Sequence, residues 1–352
     1  KQQTFKLNGC APWVFANAGA KGYYRTQYPA ATIKAIAATI DLSTGNGRIL
    51  LSGLTFSTGT LDDNIFLTTN GTNMDIVQSG TVAFSASGAL ITYAGTGAFR
   101  VISGTSSFDR VAIITMPTVV AAGATLTFNA GATLEALTLL GTLEVNNGVG
   151  VAGAFSNQGT IDINLGGALV LSTVSSNAGT INISGSGSLS TNNNPFTNAL
   201  TGVITGDGFV IVGTGIAFTN QGTLRPGASG GTLPGTLTIL GDLVLTPTSV
   251  VQIAIQTPGL TAGTDFSTLS VSGAVTLGGT LNVTHLGGFT PTAGMNFTVL
   301  SYGSRTGTSA FATIAAGGLN YTPTAGATSF AIQFQALLLN TFTGNAINNS
   351  WD

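Results

Sequence analysis

A short repeat constrains the fold more than any other feature of this sequence. Gly-Thr-Ile or Gly-Thr-Leu begins at Gly141, Gly159, Gly179 and Gly222, so the copies lie 18, 20 and 43 residues apart, the last separation being close to two periods. A unit of about 20 residues with short strands and tight turns cannot bury its apolar face alone, whereas stacked units can. We therefore expect an all-β fold whose trunk is a right-handed parallel β-solenoid.

The stretch that follows the second copy indicates how one coil is built. Ile161, Ile163 and Leu165 alternate with polar residues, which places them on one face of a strand. Leu169 and Leu171 resume the apolar pattern after a pair of glycines. We expect all five side chains to point into the core.

Asparagine recurs beside the repeats, at Asn157, Asn177 and Asn220. Asparagine tolerates the left-handed backbone conformation, and its amide can bond to copies in the coils above and below. The spacing therefore predicts a ladder of asparagine amides along one corner of the solenoid.

The composition excludes several classes of protein. Only 6% of the residues are charged, against about a quarter in ordinary globular proteins, and 43% are hydrophobic. This combination is not that of a disordered chain, and no apolar run reaches the 18 residues of a membrane-spanning helix. The single cysteine, Cys10, cannot form a disulfide or a thiolate metal site within the chain.

The positive charges are concentrated at the start of the chain. All four lysines lie at or before Lys34, and the part of the chain beyond residue 40 carries five arginines against twelve acids, a net charge of −7. Nucleic acid is therefore not an expected partner, because phosphate binding requires clustered lysines and arginines. We divide the chain into a basic aromatic arm or cap (1–40), a solenoid trunk (41–230), a C-terminal solenoid module (231–340) and a tail or further unit (341–352).

The region 120–335 resembles the passenger and adhesin segments of secreted bacterial β-solenoid proteins. The pattern D-x(3)-L-x-V-x(5)-L-x-G-x-L-x-V falls on Asp265, Leu269, Val271, Leu277, Gly279, Leu281 and Val283. The resemblance implies an extracellular or surface-associated bacterial protein with a β-helical fold.

The segment 11–29 resembles a β-sandwich segment of zinc aminopeptidases. The matching residues of the run W-V-x-x-N-x-x-x-x-G-Y-Y-R-x-x-Y are Trp13, Val14, Asn17, Gly22, Tyr23, Tyr24, Arg25 and Tyr28. The family's zinc motif needs two histidines four residues apart, but this chain has one histidine, so peptidase activity does not follow.

The N-terminal arm carries the candidate interface. Its alternation predicts a strand near Gln3–Asn8, and residues 30–40 have the apolar spacing of a short helix. The aromatic group fits either the core of a cap or an anchor for another subunit, and the strand fits donation to a neighbouring subunit. The candidate interface residues are Phe5, Leu7, Trp13, Phe15, Tyr23, Tyr24, Arg25 and Tyr28.

Other candidate sites have simpler interpretations. His285 is a lone histidine expected to face solvent, Asp62-Asp63-Asn64 is a solvated turn rather than a calcium loop, and Asp109-Arg110 is a surface ion pair. An ice-binding face requires Thr-x-Thr in register in every coil, whereas Thr125/Thr127 and Thr236/Thr238 are isolated pairs. We expect no catalytic, cofactor or metal site.

These observations predict a non-enzymatic extracellular structural protein. We expect it to assemble with itself into a surface fibre, filament or sheath. The alternative is an adhesin stalk or a carbohydrate-binding β-helix, with host or matrix glycans as partners and carbohydrate cleavage as the weaker variant. Exposed aromatic rings with clustered acids favour the carbohydrate alternative, whereas phenylalanines buried inside the coils favour the structural one.

Overall fold

The structure is a computed structural model that describes residues 48–56, 65–68, 75–84, 90–227 and 233–336. Within these ranges the chain forms 29 strands and no helix. The first strands are β1 (Arg48–Phe56), β2 (Ile65–Thr68), β3 (Asp75–Phe84), β4 (Ile91–Ala94), β5 (Phe99–Val101), β6 (Gly104–Phe108), β7 (Ala112–Val120), β8 (Ala124–Phe128), β9 (Ala132–Leu139), β10 (Thr142–Val145), β11 (Gly148–Val151), β12 (Phe155–Asn157), β13 (Thr160–Ile163), β14 (Ala168–Leu171) and β15 (Ser175–Asn177). The remaining strands are β16 (Thr180–Ile183), β17 (Ser188–Ser190), β18 (Phe196–Asn198), β19 (Val203–Gly206), β20 (Phe209–Asn220), β21 (Thr223–Pro226), β22 (Thr236–Leu245), β23 (Val250–Ile255), β24 (Thr268–Thr276), β25 (Thr280–His285), β26 (Asn296–Arg305), β27 (Thr313–Ala315), β28 (Asn320–Ala325) and β29 (Ser329–Gln335).

Each coil contributes to three parallel ladders, which we call faces 1, 2 and 3. In one coil β13 lies on face 1, β14 on face 2 and β15 on face 3, and the chain then returns to face 1 as β16. Thr160 pairs with Thr180, Leu169 with Leu189, and Asn177 with Asn198. The predicted parallel β-solenoid is confirmed.

Face 1 is the most regular ladder. It contains twelve successive strands, because the C-terminal parts of β1 and β3 precede β6, and its pairing continues past residue 230, where β21 pairs with β23. The division of the trunk at residue 230 stays a prediction. The strands of face 1 are the C-terminal parts of β1 and β3, followed by β6, β8, β10, β13, β16, β19, β21, β23, β25 and β27.

The core is a single apolar column inside the coils. Ile161, Ile163, Leu169 and Leu171 are fully buried, as their alternation predicts. Leu165, however, is 75% exposed, so its predicted place in the core was wrong. Strand β13 ends at Ile163, and the chain then turns, which moves Leu165 out of the alternating pattern.

A buried asparagine ladder runs along the corner after face 3. Asn157 donates from Nδ2 to Oδ1 of Asn177 at 2.7 Å, Asn177 donates to Asn198 at 2.8 Å, and Asn198 donates to Asn220 at 2.8 Å. All four side chains are at most 1% exposed. The predicted ladder is confirmed. Its asparagines end strands and do not use the left-handed conformation that asparagine tolerates; among the described non-glycine residues, positive φ occurs at Asn192 and Asn193.

Asn198 is the member of this ladder that the repeat did not predict. It is followed by Ala-Leu-Thr before Gly202, whereas one residue separates the other three asparagines from their glycines. Its amide nonetheless donates to the carbonyl oxygen of Gly202 at 3.0 Å, as that of Asn177 does to Gly179 at 2.9 Å. Two extra residues fit into the corner without changing the ladder.

The glycines at this corner are required by close packing between coils. A Cβ on Gly179 would overlap with the carbonyl oxygen of Gly159, and a Cβ on Gly159 would overlap with that of Gly141. The Gly-Thr repeat therefore marks the positions where one coil's backbone lies directly on the next.

The described chain ends in an antiparallel hairpin. β29 pairs with β26, and β28 pairs with β29; both pairings are antiparallel. The hydroxyl of Tyr302 in β26 donates to the carbonyl oxygens of Gly326 and Ser329 at 3.0 and 2.8 Å. β28 contains Pro323, which has no N–H to offer to a further strand.

Candidate functional site

The predicted interface lies outside the described residues. This applies to Phe5, Leu7, Trp13, Phe15, Tyr23, Tyr24, Arg25 and Tyr28, and also to Cys10, the predicted helix in residues 30–40 and the Asp62-Asp63-Asn64 turn. The roles assigned to these residues stay predictions.

His285 is a packing residue rather than a solvent-facing one. Its Nε2 lies 2.7 Å from the hydroxyl of Tyr321, and the two rings stack with centroids 6.0 Å apart. Phe289 lies near the same ring, at 6.2 Å. Burial lowers the pKa of His285 and raises the pKa of Tyr321 to about 12. His285 is therefore half-buried and not fully solvent-facing as expected, because the closing hairpin, distant in sequence, packs against the ring.

Asp109 and Arg110 do not form the predicted surface pair. Asp109 is exposed and accepts a hydrogen bond from Nδ2 of Asn129, which belongs to a second, outer ladder that continues through Asn146 and Asn164. Arg110 is only 3% exposed. Burial lowers the pKa of Arg110, and the nearby charge of Asp109 opposes that effect.

The adhesin-like pattern has a structural explanation in this fold. Leu269, Val271, Leu281 and Val283 are buried in the core. Asp265 holds a loop, since it accepts hydrogen bonds from the hydroxyl of Thr257 and from the backbone N–H of Thr261. These bonds lower the pKa of Asp265, the Thr257 bond most. The pattern therefore combines core positions with one loop-holding carboxylate.

From β6 to β27, face 1 carries two ranks of side chains in register that point away from the core, of which Thr127 and Thr205 are nonetheless buried. Eight of the ten residues in the first rank are threonines, five of them consecutive; this rank consists of Thr105, Thr125, Thr142, Thr160, Thr180, Val203, Thr223, Val250, Thr280 and Thr313. The second rank consists of Ser107, Thr127, Glu144, Asp162, Asn182, Thr205, Arg225, Gln252, Asn282 and Ala315.

The threonine rank corrects part of the sequence interpretation. Paired threonines in the Thr-x-Thr arrangement occur on face 1 at Thr125 and Thr127, but the first rank is continuous from Thr105 to Thr180. The signal was present in the sequence, because the threonine of each Gly-Thr repeat belongs to this rank. The other members of the rank could not be identified from the sequence, because the coils differ in length and spacing alone does not give the register between them.

The second rank carries the charges of face 1. Glu144 lies directly beside Asp162 on the neighbouring coil and accepts a hydrogen bond from the hydroxyl of Thr127 at 2.8 Å. Partial burial raises the pKa of Asp162, and the charge of Glu144 adds to that effect. Arg225 lies three coils beyond Asp162, and its Nε donates to the neutral Oε1 of Gln252 at 2.5 Å.

Most aromatic rings of the trunk point inward; Phe209 on face 2 is an exception, since it is only partly buried and alternates with the buried Val210. Phe99, Phe108, Phe128, Phe196 and Phe218 are at most 1% exposed. Phe108 stacks on Phe128 with centroids 5.3 Å apart, and Phe196 lies 5.6 Å from Phe218. Among the residues between 90 and 336 whose burial is described, no aromatic side chain is classed as exposed.

Within the described ranges, no helix has the length and apolar character needed to cross a membrane. In the same part of the chain, no three His, Cys, Asp or Glu side chains come together as they would around a metal ion. No protein-family model matches the chain, and no curated protein matches it.

Proposed function

We propose that this protein is a non-enzymatic structural rod of a bacterial surface, which assembles into an extracellular fibre, filament or sheath. The observation that carries the proposal is the buried ladder from Asn157 to Asn220, in which asparagine side chains bind one coil to the next. Such a ladder strengthens the rod along its axis.

The placement of the aromatic residues supports a structural role over carbohydrate binding. A glycan site needs exposed rings on which sugars can stack, whereas most trunk phenylalanines fill the core and the partly buried Phe209 is the exception. A recess beside Leu200 is bounded by Gln221, Thr246, Pro247 and Thr248, and none of these residues is charged.

The joint between rods is proposed to use strand donation by Gln3–Asn8, with Phe5 and Leu7 filling the acceptor's groove. β28 is a poor acceptor because Pro323 interrupts its row of N–H groups. β27, which pairs with β25, is the better acceptor on face 1.

Negative-stain electron microscopy of the full chain across a concentration series tests the proposal. We expect fibres that lengthen with concentration, and soluble, folded short rods from a variant that lacks residues 1–9. Fibres that form unchanged without residues 1–9 would rule out strand donation. Isolated rods from the intact chain at every concentration would rule out the fibre and favour the alternative, an adhesin stalk, for which a polysaccharide screen is the next measurement.

A further inference from the structure

We propose that two copies of this chain pair side by side and antiparallel, with face 1 of one rod against face 1 of the other. The pairing adds a lateral contact to the proposed rod and does not depend on any end-to-end joint. It rests on the charge pattern of the second rank, which is complementary to itself in one orientation only.

The acids and the arginine lie on opposite sides of a midpoint. Asn182 and Thr205 occupy the two neighbouring coils that lie between the coils of Asp162 and Arg225 on face 1. Asp162 lies one coil before Asn182, and Arg225 lies one coil after Thr205. Within the described ranges, neither Glu144 nor Asp162 has an ion pair with a basic side chain, and Arg225 bonds to a neutral amide.

A two-fold axis parallel to the strands, between the coils of Asn182 and Thr205, brings these groups together. It reverses the order of the coils and leaves each rank facing the same rank of the second copy. Arg225 then lies opposite Asp162 of the other copy. Gln252 lies opposite Glu144, and because its Oε1 already accepts from Arg225, its Nε2 amide is available to donate.

A parallel arrangement gives no such charge pairs. If the two-fold axis ran along the rods between the two ranks, every coil would face its own copy and the second rank would face the first, so Asp162 would lie opposite Thr160. An axis that ran along the second rank itself would bring Asp162 against Asp162, which is unfavourable because like charges repel. The charges therefore favour the antiparallel orientation.

The shape of face 1 suits close approach. The first rank is almost entirely threonine and valine, short side chains of similar height, and the same axis places Thr105 opposite Thr313. Strands of about 13 Å across and nine coil spacings of about 4.8 Å give roughly 1,100 Å² of contact in total, slightly above the roughly 1,000 Å² expected of a specific interface. We expect a weak dimer that salt dissociates further.

Sedimentation velocity on the full chain at low salt tests the pairing. Arg225→Glu gives a face with only acids in the second rank, and Glu144→Lys with Asp162→Lys gives one with only bases. We expect each variant alone to dimerise at least about tenfold more weakly than the natural chain, and an equimolar mixture of the two to recover a heterodimer. Arg305→Glu is the matched control: it makes the same charge change away from face 1, on β26, and should dimerise like the natural chain. A mixture that stays monomeric at about 100 µM overturns the proposal.

Cross-linking tests the orientation. In a Cys10→Ser background, we expect Thr105→Cys and Thr313→Cys chains to form a disulfide-linked dimer when mixed, but neither to do so alone. Dimers from each variant alone would show a parallel pair and overturn the antiparallel assignment. Because sedimentation and cross-linking detect pairs, and electron microscopy detects fibres, failure of the lateral contact is distinguishable from failure of the fibre.

Discussion

The early and late coils of the solenoid differ in length but keep the same register on face 1. From Thr105 to Thr223, successive first-rank residues are 17 to 23 residues apart, whereas the last three coils need 27, 30 and 33. On face 1 the strands of the longer coils still pair without a shift, as in the six residue pairs between β23 and β25. The extra residues therefore lie in corner loops, where insertion costs little.

The two regions also differ in what holds the coils together. The early coils contain the asparagine ladder, which is flanked in register by Leu139 and Leu245. The late coils have no asparagine at this position in the described chain; there, apolar packing such as the edge-to-face contact of Phe266 with Phe297 at 5.4 Å fills the core. The regular coils therefore combine a repeated polar bond with apolar packing, whereas the irregular coils have the apolar packing without that ladder.

The largest expected effect comes from a glycine of the early coils. Gly179→Ala places a Cβ against the carbonyl oxygen of Gly159, and neither backbone can move without breaking the ladder. We expect a loss of at least about 3 kcal/mol in the free energy of unfolding. Urea unfolding followed by circular dichroism measures it.

Gly287→Ala in the late coils is the matched control. Gly287 has a φ of 59°, but no atom lies within 4 Å of the place that an alanine methyl group would occupy, so only backbone strain of about 1 kcal/mol is expected. If the two variants lost the same free energy of unfolding, close packing between the early coils would not be the reason why position 179 requires glycine.

The asparagine ladder should give the next largest effect. Asn177→Ala leaves the amide of Asn157 without its acceptor and the Oδ1 of Asn198 without its donor. We expect a loss of about 2–4 kcal/mol, because both groups are buried. Asn282→Ala, on the outer side of face 1, should change stability by less than about 0.5 kcal/mol. A similar small change for both variants in urea unfolding would contradict a structural role for the ladder.

The smallest effect should be a pH dependence confined to the late coils. Burial lowers the pKa of His285 in the folded protein, so the unfolded state binds more protons as the pH falls below about 6.5. Stability should therefore decrease between pH 7 and pH 5. Hydrogen exchange at these two pH values, corrected for intrinsic rates, should show β29 opening more readily at pH 5 and β16 unchanged.

His285→Gln provides the control for this pH effect. The glutamine does not titrate, so protection of β29 should no longer depend on pH in this range. Equal pH dependence in the natural chain and the variant would assign the effect to another group.

Much of the fold could be predicted from short-range patterns. Alternation identified Ile161 and Ile163 as core residues, and the repeated glycine marked where coils lie on one another. Leu165 was placed wrongly because alternation does not show where a strand ends. The proposed arm interface stays a prediction, since its residues lie outside the described ranges.

The sequence by itself determined that this chain stacks into coils, because a repeat of about 20 residues with one apolar face has no other way to bury that face. Only the tertiary structure decided which residues share a rank. Coils of 17 to 33 residues bring Thr105 into line with Thr313, and they place Asp162 and Arg225 on either side of one midpoint. The physical reason is that backbone hydrogen bonds between strands determine register, whereas loop length, which hides register in the sequence, varies at little energetic cost.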